Sequence, residues 1–165
     1  MDYDVISEEL AKTWVKGCPN LSFIYLHADE YVDHTHVISC ETWKSLVSTH
    51  PKLLVDFRGY NFQDAKQMPD ILSAAIPLFK LSWQTYRKVT TESELTRLLN
   101  HVARYHRTIK HLYLGLLGHF PHLDTTAVQN ILSKCKDLQP FQCTNETRTL
   151  AYEYTWGLYQ DNWWI

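Results

Sequence analysis

The residues of this chain best able to do chemistry are nine histidines and four cysteines, and their spacing decides which chemistry is open. Two histidine pairs are local, His34-x-His36 and His119-x-x-His122, with Asp33 and Asp124 as sequence neighbours. Zinc needs three or four ligands, usually including cysteines at short spacing. Cys18, Cys40, Cys135 and Cys143 lie far apart and form no C-x-x-C pair, so they read as reduced structural thiols. His101, His106 and His111 surround a helix end and its turn, where an imidazole caps carbonyls or packs. The sequence has no G-x-S-x-G elbow, H-E-x-x-H pair or phosphate-binding glycine loop. The expectation is a chain that is not an enzyme and that holds no metal or cofactor.

A second set of polar and aromatic residues sits inside short alternating runs. "IKHLYLGL", residues 109–116, places apolar residues at Ile109, Leu112 and Leu114 with His111 and Tyr113 between them. The same spacing recurs in Leu21-Ser-Phe-Ile24-Tyr-Leu26, in Ile76-Pro-Leu-Phe79-Lys-Leu81 and in Leu138-Gln-Pro-Phe141-Gln-Cys143. A fifth copy keeps Val55 and Phe57, with Leu53 standing in for the leading position. In an extended strand successive side chains point to opposite faces, so each apolar pair predicts one buried face and its neighbours one exposed face. The exposed face would carry Tyr25 and His27, Asp56 and Arg58, Lys80 and Ser82, His111 and Tyr113, and Gln142. Tyrosine and arginine are enriched among residues that dominate protein interfaces, which makes Tyr25, Arg58 and Tyr113 the preferred contacts.

The elements that position these runs recur as well. Amphipathic helical patterns precede each run: Leu10, Trp14 and Val15; Trp43, Leu46 and Val47; Leu95, Leu98, Leu99, Val102 and Tyr105; Val128, Ile131 and Leu132. The third, QDAKQMPDILSAA, is interrupted by Pro69, which leaves a short helix starting near Asp70. Thr91-x-x-Glu94 is a capping box for the fourth. Recurrent turns follow the helices, as Cys18-Pro-Asn-Leu21, His50-Pro-Lys-Leu53, His106-Arg-Thr-Ile109 and Cys135-Lys-Asp-Leu138. The alternating pairs 24/26, 55/57, 79/81, 112/114 and 141/143 are spaced by 31, 24, 33 and 29 residues, close to a leucine-rich-repeat period but irregular. Helix, turn and strand repeated five times predict an α/β fold, a leucine-rich-repeat solenoid with short parallel strands on one side and helices on the other. The alternative is an ordinary α/β domain around a parallel sheet.

Composition agrees with a folded binding domain. A chain of 165 residues, 45% hydrophobic and 21% charged, has enough apolar content for one core. Its net charge of -2, with both signs mixed along the chain, gives no reason to expect nucleic acid or an anionic membrane as partner. No apolar run reaches the ~20 residues a spanning helix requires. The acidic start MDYDVISEEL lacks the apolar region of a secretory signal, so a cytoplasmic or nuclear location is expected. Sequons at Asn20-Leu-Ser22 and Asn145-Glu-Thr147 would matter only in a secreted chain.

The phrases "KGCPNLSFIYL", "SCETWKSLVSTHPKL" and "LSKCKDLQPFQC", with the tail "NWWI", resemble the C-terminal leucine-rich-repeat region of F-box proteins. In that family an N-terminal F-box docks on the Skp adaptor of a cullin-based ubiquitin ligase, while the repeats hold the protein to be ubiquitylated. The resemblance therefore implies a protein substrate or partner on the strand face. Residues 1–20 hold one repeat-type helix and no leucine-proline opening followed by three helices. A fragment or short isoform lacking the F-box is expected, or a scaffold that binds without recruiting a ligase, with the Skp adaptor a partner only if an F-box lies upstream.

The solenoid is expected over residues 1–145 and an aromatic cap and tail over 146–165. Tyr152, Trp156 and Tyr159 fall at helical spacing and predict a closing helix after Glu146, weakened by Gly157. Trp163 and Trp164 follow it with almost no chain left to complete a core, and are expected to reach a partner.

Overall fold

Two of the described helix starts are fixed by serine. In the computed structural model, which describes residues 6–29, 38–62, 68–85, 92–115, 125–138, 141–144 and 149–152, Ser7 caps α1 (Glu8–Gly17) by accepting from the Leu10 N–H at 3.1 Å. Ser39 caps α2 (Cys40–Thr49) by accepting from the Thr42 N–H at 3.2 Å. Each hydroxyl satisfies one of the backbone donors that a helix start leaves without an intrahelical partner. The remaining helices are α3 (Met68–Ile71), α4 (Glu92–Val102), which continues into a 3-10 turn at Ala103–Tyr105, and α5 (Thr125–Lys134). Pro69 lies inside the single turn of α3, at a helix start where its missing N–H is tolerated.

Helix ends are as regular as their starts. The Cys18 N–H donates to the Trp14 carbonyl, His50 to Leu46 and Cys135 to Ile131; three residues on, Leu21, Leu53 and Leu138 donate to the carbonyls of Cys18, His50 and Cys135. The same closing bond runs from Ile76 to Ser73, a turn the sequence motif did not mark. After α4 the bonds run from Thr108 and Ile109 to Tyr105, so the turn is re-set by the extra 3-10 residues. Recurring turn bonds deliver the chain into each strand at a common point.

The strands are β1 (Phe23–Asp29), β2 (Leu54–Phe62), β3 (Leu78–Thr85), β4 (His111–Gly115), β5 (Phe141–Thr144) and β6 (Thr149–Tyr152). They form one sheet in sequential order, parallel from β1 to β5 and antiparallel between β5 and β6. The fold is α/β, and sequential order with a helix before each parallel strand is what repeated crossovers of one hand produce. Strand β6 occupies residues 149–152, where a closing helix after Glu146 was expected. Parallel strand β5 has backbone groups to pair on its outer side, and an antiparallel return satisfies them. The expected positions Trp156, Tyr159, Trp163 and Trp164 lie outside the described residues.

One face of the sheet is the core. Ile24, Leu26, Ala28, Val55, Phe57, Leu78, Leu81, Trp83, Leu112 and Leu114 are buried together with Ala11, Trp43, Leu46, Leu98, Leu99, Val102 and Ile131 from the helices. The pairing aligns Leu26, Phe57, Leu81, Leu112 and Phe141 in one row across five strands. Phe57 and Trp83 stack one row apart, with ring centroids at 6.2 Å. At roughly 2 kcal/mol for each fully buried large aliphatic or aromatic side chain, this layer dominates the favourable side of folding.

Phe79 departs from the expected alternation. Its neighbours pair as Val55 with Leu78 and Asp56 with Lys80, so β3 carries one extra residue opposite β2, a bulge centred on Phe79. The insertion moves Leu78 to the core and leaves Phe79 half-buried, its ring edge-on to His111 at 5.0 Å. The inner members of β3 are Leu78, Leu81, Trp83 and Thr85; the pair 79/81 read from the sequence is corrected to 78/81.

Candidate functional site: the outer face of the sheet

The side chains opposite the core fall into rows set by the register. Tyr25, Asp56, Lys80 and His111 form one row. His27, Arg58, Ser82, Tyr113 and Gln142 form the next. All of the strand residues expected on this face are thus brought side by side, and for Gln142 the description is limited to its backbone pairing with Tyr113 and Ala151. Strand neighbours lie about 4.8 Å apart, close enough for long side chains to touch across rows.

They do touch. The Arg58 guanidinium lies over the Tyr25 ring, 5.0 Å from its centroid, and the Lys80 ammonium lies 5.5 Å from that of Tyr113. Arg58 Nη2 approaches Asp56 Oδ2 to 3.6 Å. His27 meets Tyr60 edge-on at 5.2 Å. A cation over a tyrosine face is attracted by the ring's negative π surface, by about 0.5 to 1 kcal/mol at exposed sites. These contacts hold long side chains in place before any partner arrives, which lowers the ordering entropy that binding must overcome.

Burial divides the face. Asp56 is only 6% exposed, although it leaves the sheet on the solvent side. Its Oδ1 and the neighbouring Arg58 Nε are buried without a hydrogen-bond partner. Burial works against the charge of Arg58, and the nearby Asp56, Tyr25 and Tyr60 outweigh it, so its pKa is raised. Burial raises the Tyr25 phenol against the opposing pull of Arg58, and burial and the Asp56 charge raise that of Tyr113. Both phenols stay neutral donors near pH 7. Among the described residues no cluster of three or more histidines, cysteines or carboxylates could hold a metal.

The face holds residues that the sequence reading did not assign. Phe23, 49% exposed, sits one row below Tyr25 and pairs with Leu54, and the bulge adds Phe79 beside His111. Together they make an apolar strip along one end of the face. Phe23 and Leu54 were legible as the alternate positions before Ile24 and Val55; Phe79 was not, because a bulge has no mark in the residue pattern.

The histidine pairs His34/His36 and His119/His122, with Asp33 and Asp124, lie outside the described residues. His101 is buried and meets the Tyr105 hydroxyl at 3.1 Å, while that hydroxyl donates to the carbonyls of Leu72 at 3.0 Å and Ser73 at 3.1 Å. The pair ties the end of α4 to the end of α3. Cys135 is buried, and burial raises its thiol pKa. Among the described residues no helix is long and apolar enough to cross a membrane. Comparison with known proteins finds no matching family model, no matching curated protein and no matching solved structure.

Proposed function

We propose that this chain is an intracellular protein-binding repeat domain, a leucine-rich-repeat solenoid of about five irregular helix–strand units, similar to the part of an F-box ubiquitin-ligase receptor that recognises its substrate. Five parallel strands in sequential order and the recurring turn bonds at Cys18, His50, Ser73 and Cys135 support the repeat reading. The observation that carries the function is the outer face itself. Tyr25, Arg58, Lys80 and Tyr113 are mutually ordered there, opposite a face that supplies the core.

Affinity purification from cells tests the reading. The full chain is compared with a variant carrying Tyr25→Ser, Lys80→Ser and Tyr113→Ser, after circular dichroism has verified that the variant is folded. Proteins recovered with the parent chain and lost from the variant are the expected result; identical recovered proteins would remove the face from consideration. A second reading is a scaffold with no ubiquitin role. Direct titration with the Skp adaptor bears on it: no saturable binding by this chain is expected, and saturable binding would contradict that expectation.

A further inference from the structure

Among the described side chains, the outer face shows solvent a charge opposite in sign to that of the chain. The whole sequence carries -2, yet the charged side chains described on this face are Arg58, Lys80 and Asp56. Asp56 is 6% exposed and lies beneath Arg58, whose side chain is 35% exposed. A partner meets two cations and almost none of the carboxylate. Beside them lies the apolar strip of Phe23, Leu54 and Phe79, and Phe23 and Tyr25 are the exposed large hydrophobic residues among those described.

Resting on the protein-binding reading above, we propose that the face recognises an acidic segment of a partner protein with an apolar anchor. The anchor seats on Phe23, Leu54 and Phe79, and the partner's carboxylates pair with Arg58 and Lys80. Each cation is held against a tyrosine ring, Arg58 over Tyr25 and Lys80 over Tyr113. Arginine and carboxylate pair through charge-assisted, often bidentate hydrogen bonds, and long-range attraction of opposite charge speeds the encounter. Two cations suit a short acidic peptide better than a nucleic acid, whose phosphate-tracking grooves require a continuous basic path.

The test is selection of a displayed library of random twelve-residue peptides on the intact chain, with three variants in parallel. Lys80→Gln removes one cation, and Phe23→Ser removes the anchor seat. Asp56→Asn with Arg58→Gln removes both halves of the ion pair, so no buried charge is left alone. A thermal unfolding curve for each variant verifies the fold. The expected outcome is enrichment of peptides that join Asp or Glu to Leu, Phe or Trp, with enrichment reduced roughly tenfold or more by each variant. Basic or neutral peptides that still depend on Phe23 would overturn the acidic inference and leave the protein-binding face standing. Enrichment indifferent to all three variants, or none at all, would overturn both. Saturable binding of a twelve-nucleotide oligothymidine that is weakened by Lys80→Gln would replace the peptide with a nucleic acid and overturn the inference.

Discussion

The two faces of this sheet are made by the same strands and treat their residues in opposite ways. On the helix side Leu112 and Leu114 are buried in the core shared with the helices, while Tyr113 between them is half-buried against Lys80. The inner face gains its energy from removing apolar area from water, and is insensitive to which partner is present. The outer face gains little from its own contacts, since exposed cation–π and ion pairs are individually weak. On the proposed reading, its order serves a bound partner. The difference teaches that strand alternation separates folding from the proposed recognition one residue at a time.

The largest effect should come from breaking that separation on the inner side. Leu112→Ala and Leu114→Ala are each expected to lower stability by about 2 to 5 kcal/mol through lost burial and the cavity left behind. Tyr113→Ala should fall below about 1 kcal/mol, the ordinary range for a residue with weak surface contacts. Urea unfolding of the three variants checks this, and three equal midpoints would remove the distinction between faces.

The next effect sharpens the comparison within the core. Tyr105→Phe deletes the donor to the Leu72 and Ser73 carbonyls and is expected to lower stability by about 1 to 3 kcal/mol. Burial raises the Tyr105 phenol well above its ordinary value. The proton is therefore held more tightly in the folded chain. Its contribution is fully present below about pH 10, the ordinary tyrosine value, and is lost as the pH climbs beyond it. Unfolding midpoints measured between neutral and strongly alkaline pH should fall less steeply for Tyr105→Phe than for the parent.

A smaller effect lies at the helix layer. The Glu8 carboxylate accepts from the Ser39 N–H and the Thr42 hydroxyl, joining α1 to the start of α2. Burial alone would raise its pKa, but these hydrogen bonds and Lys12 lower it. That stabilisation is present above the ordinary carboxylate range and is lost as the pH falls through the lowered value. Glu8→Gln should flatten the acid limb of the stability curve while leaving partner recovery unchanged.

The smallest expected change in stability is at the tail. Truncation after Asp161, which removes Trp163 and Trp164, is expected to weaken a recovered partner with little shift in the melting temperature. A large shift with unchanged partners would make the tail a cap.

The helices and strands were legible because their patterns are local. Trp43 and Leu46, or Leu98, Leu99 and Val102, repeat at helical spacing, and Leu112-Tyr113-Leu114 alternates within five residues of strand β4. Three features were not legible for the same physical reason. The bulge at Phe79 depends on how β2 and β3 pair, and one extra residue turns the phenyl ring from core to outer face. Glu8 finds Ser39 and Thr42 across more than thirty residues of chain, a contact no local window contains. Asp56 is buried beside Arg58 although it leaves the sheet on the outer side, which alternation does not specify. At the C-terminus Thr149–Tyr152 pairs as a strand with β5, and Trp156 and Tyr159, the other two positions of the helical aromatic spacing, lie outside the described residues.

The most direct measurement is hydroxyl-radical footprinting of the chain with and without its recovered partner, read side chain by side chain. The account predicts that labelling of Phe23, Tyr25, Phe79 and Tyr113 falls on binding, while that of the partly buried Trp14 on α1 is unchanged. Protection of Trp14 and the helix layer, with the four outer-face aromatics labelled as before, would contradict it.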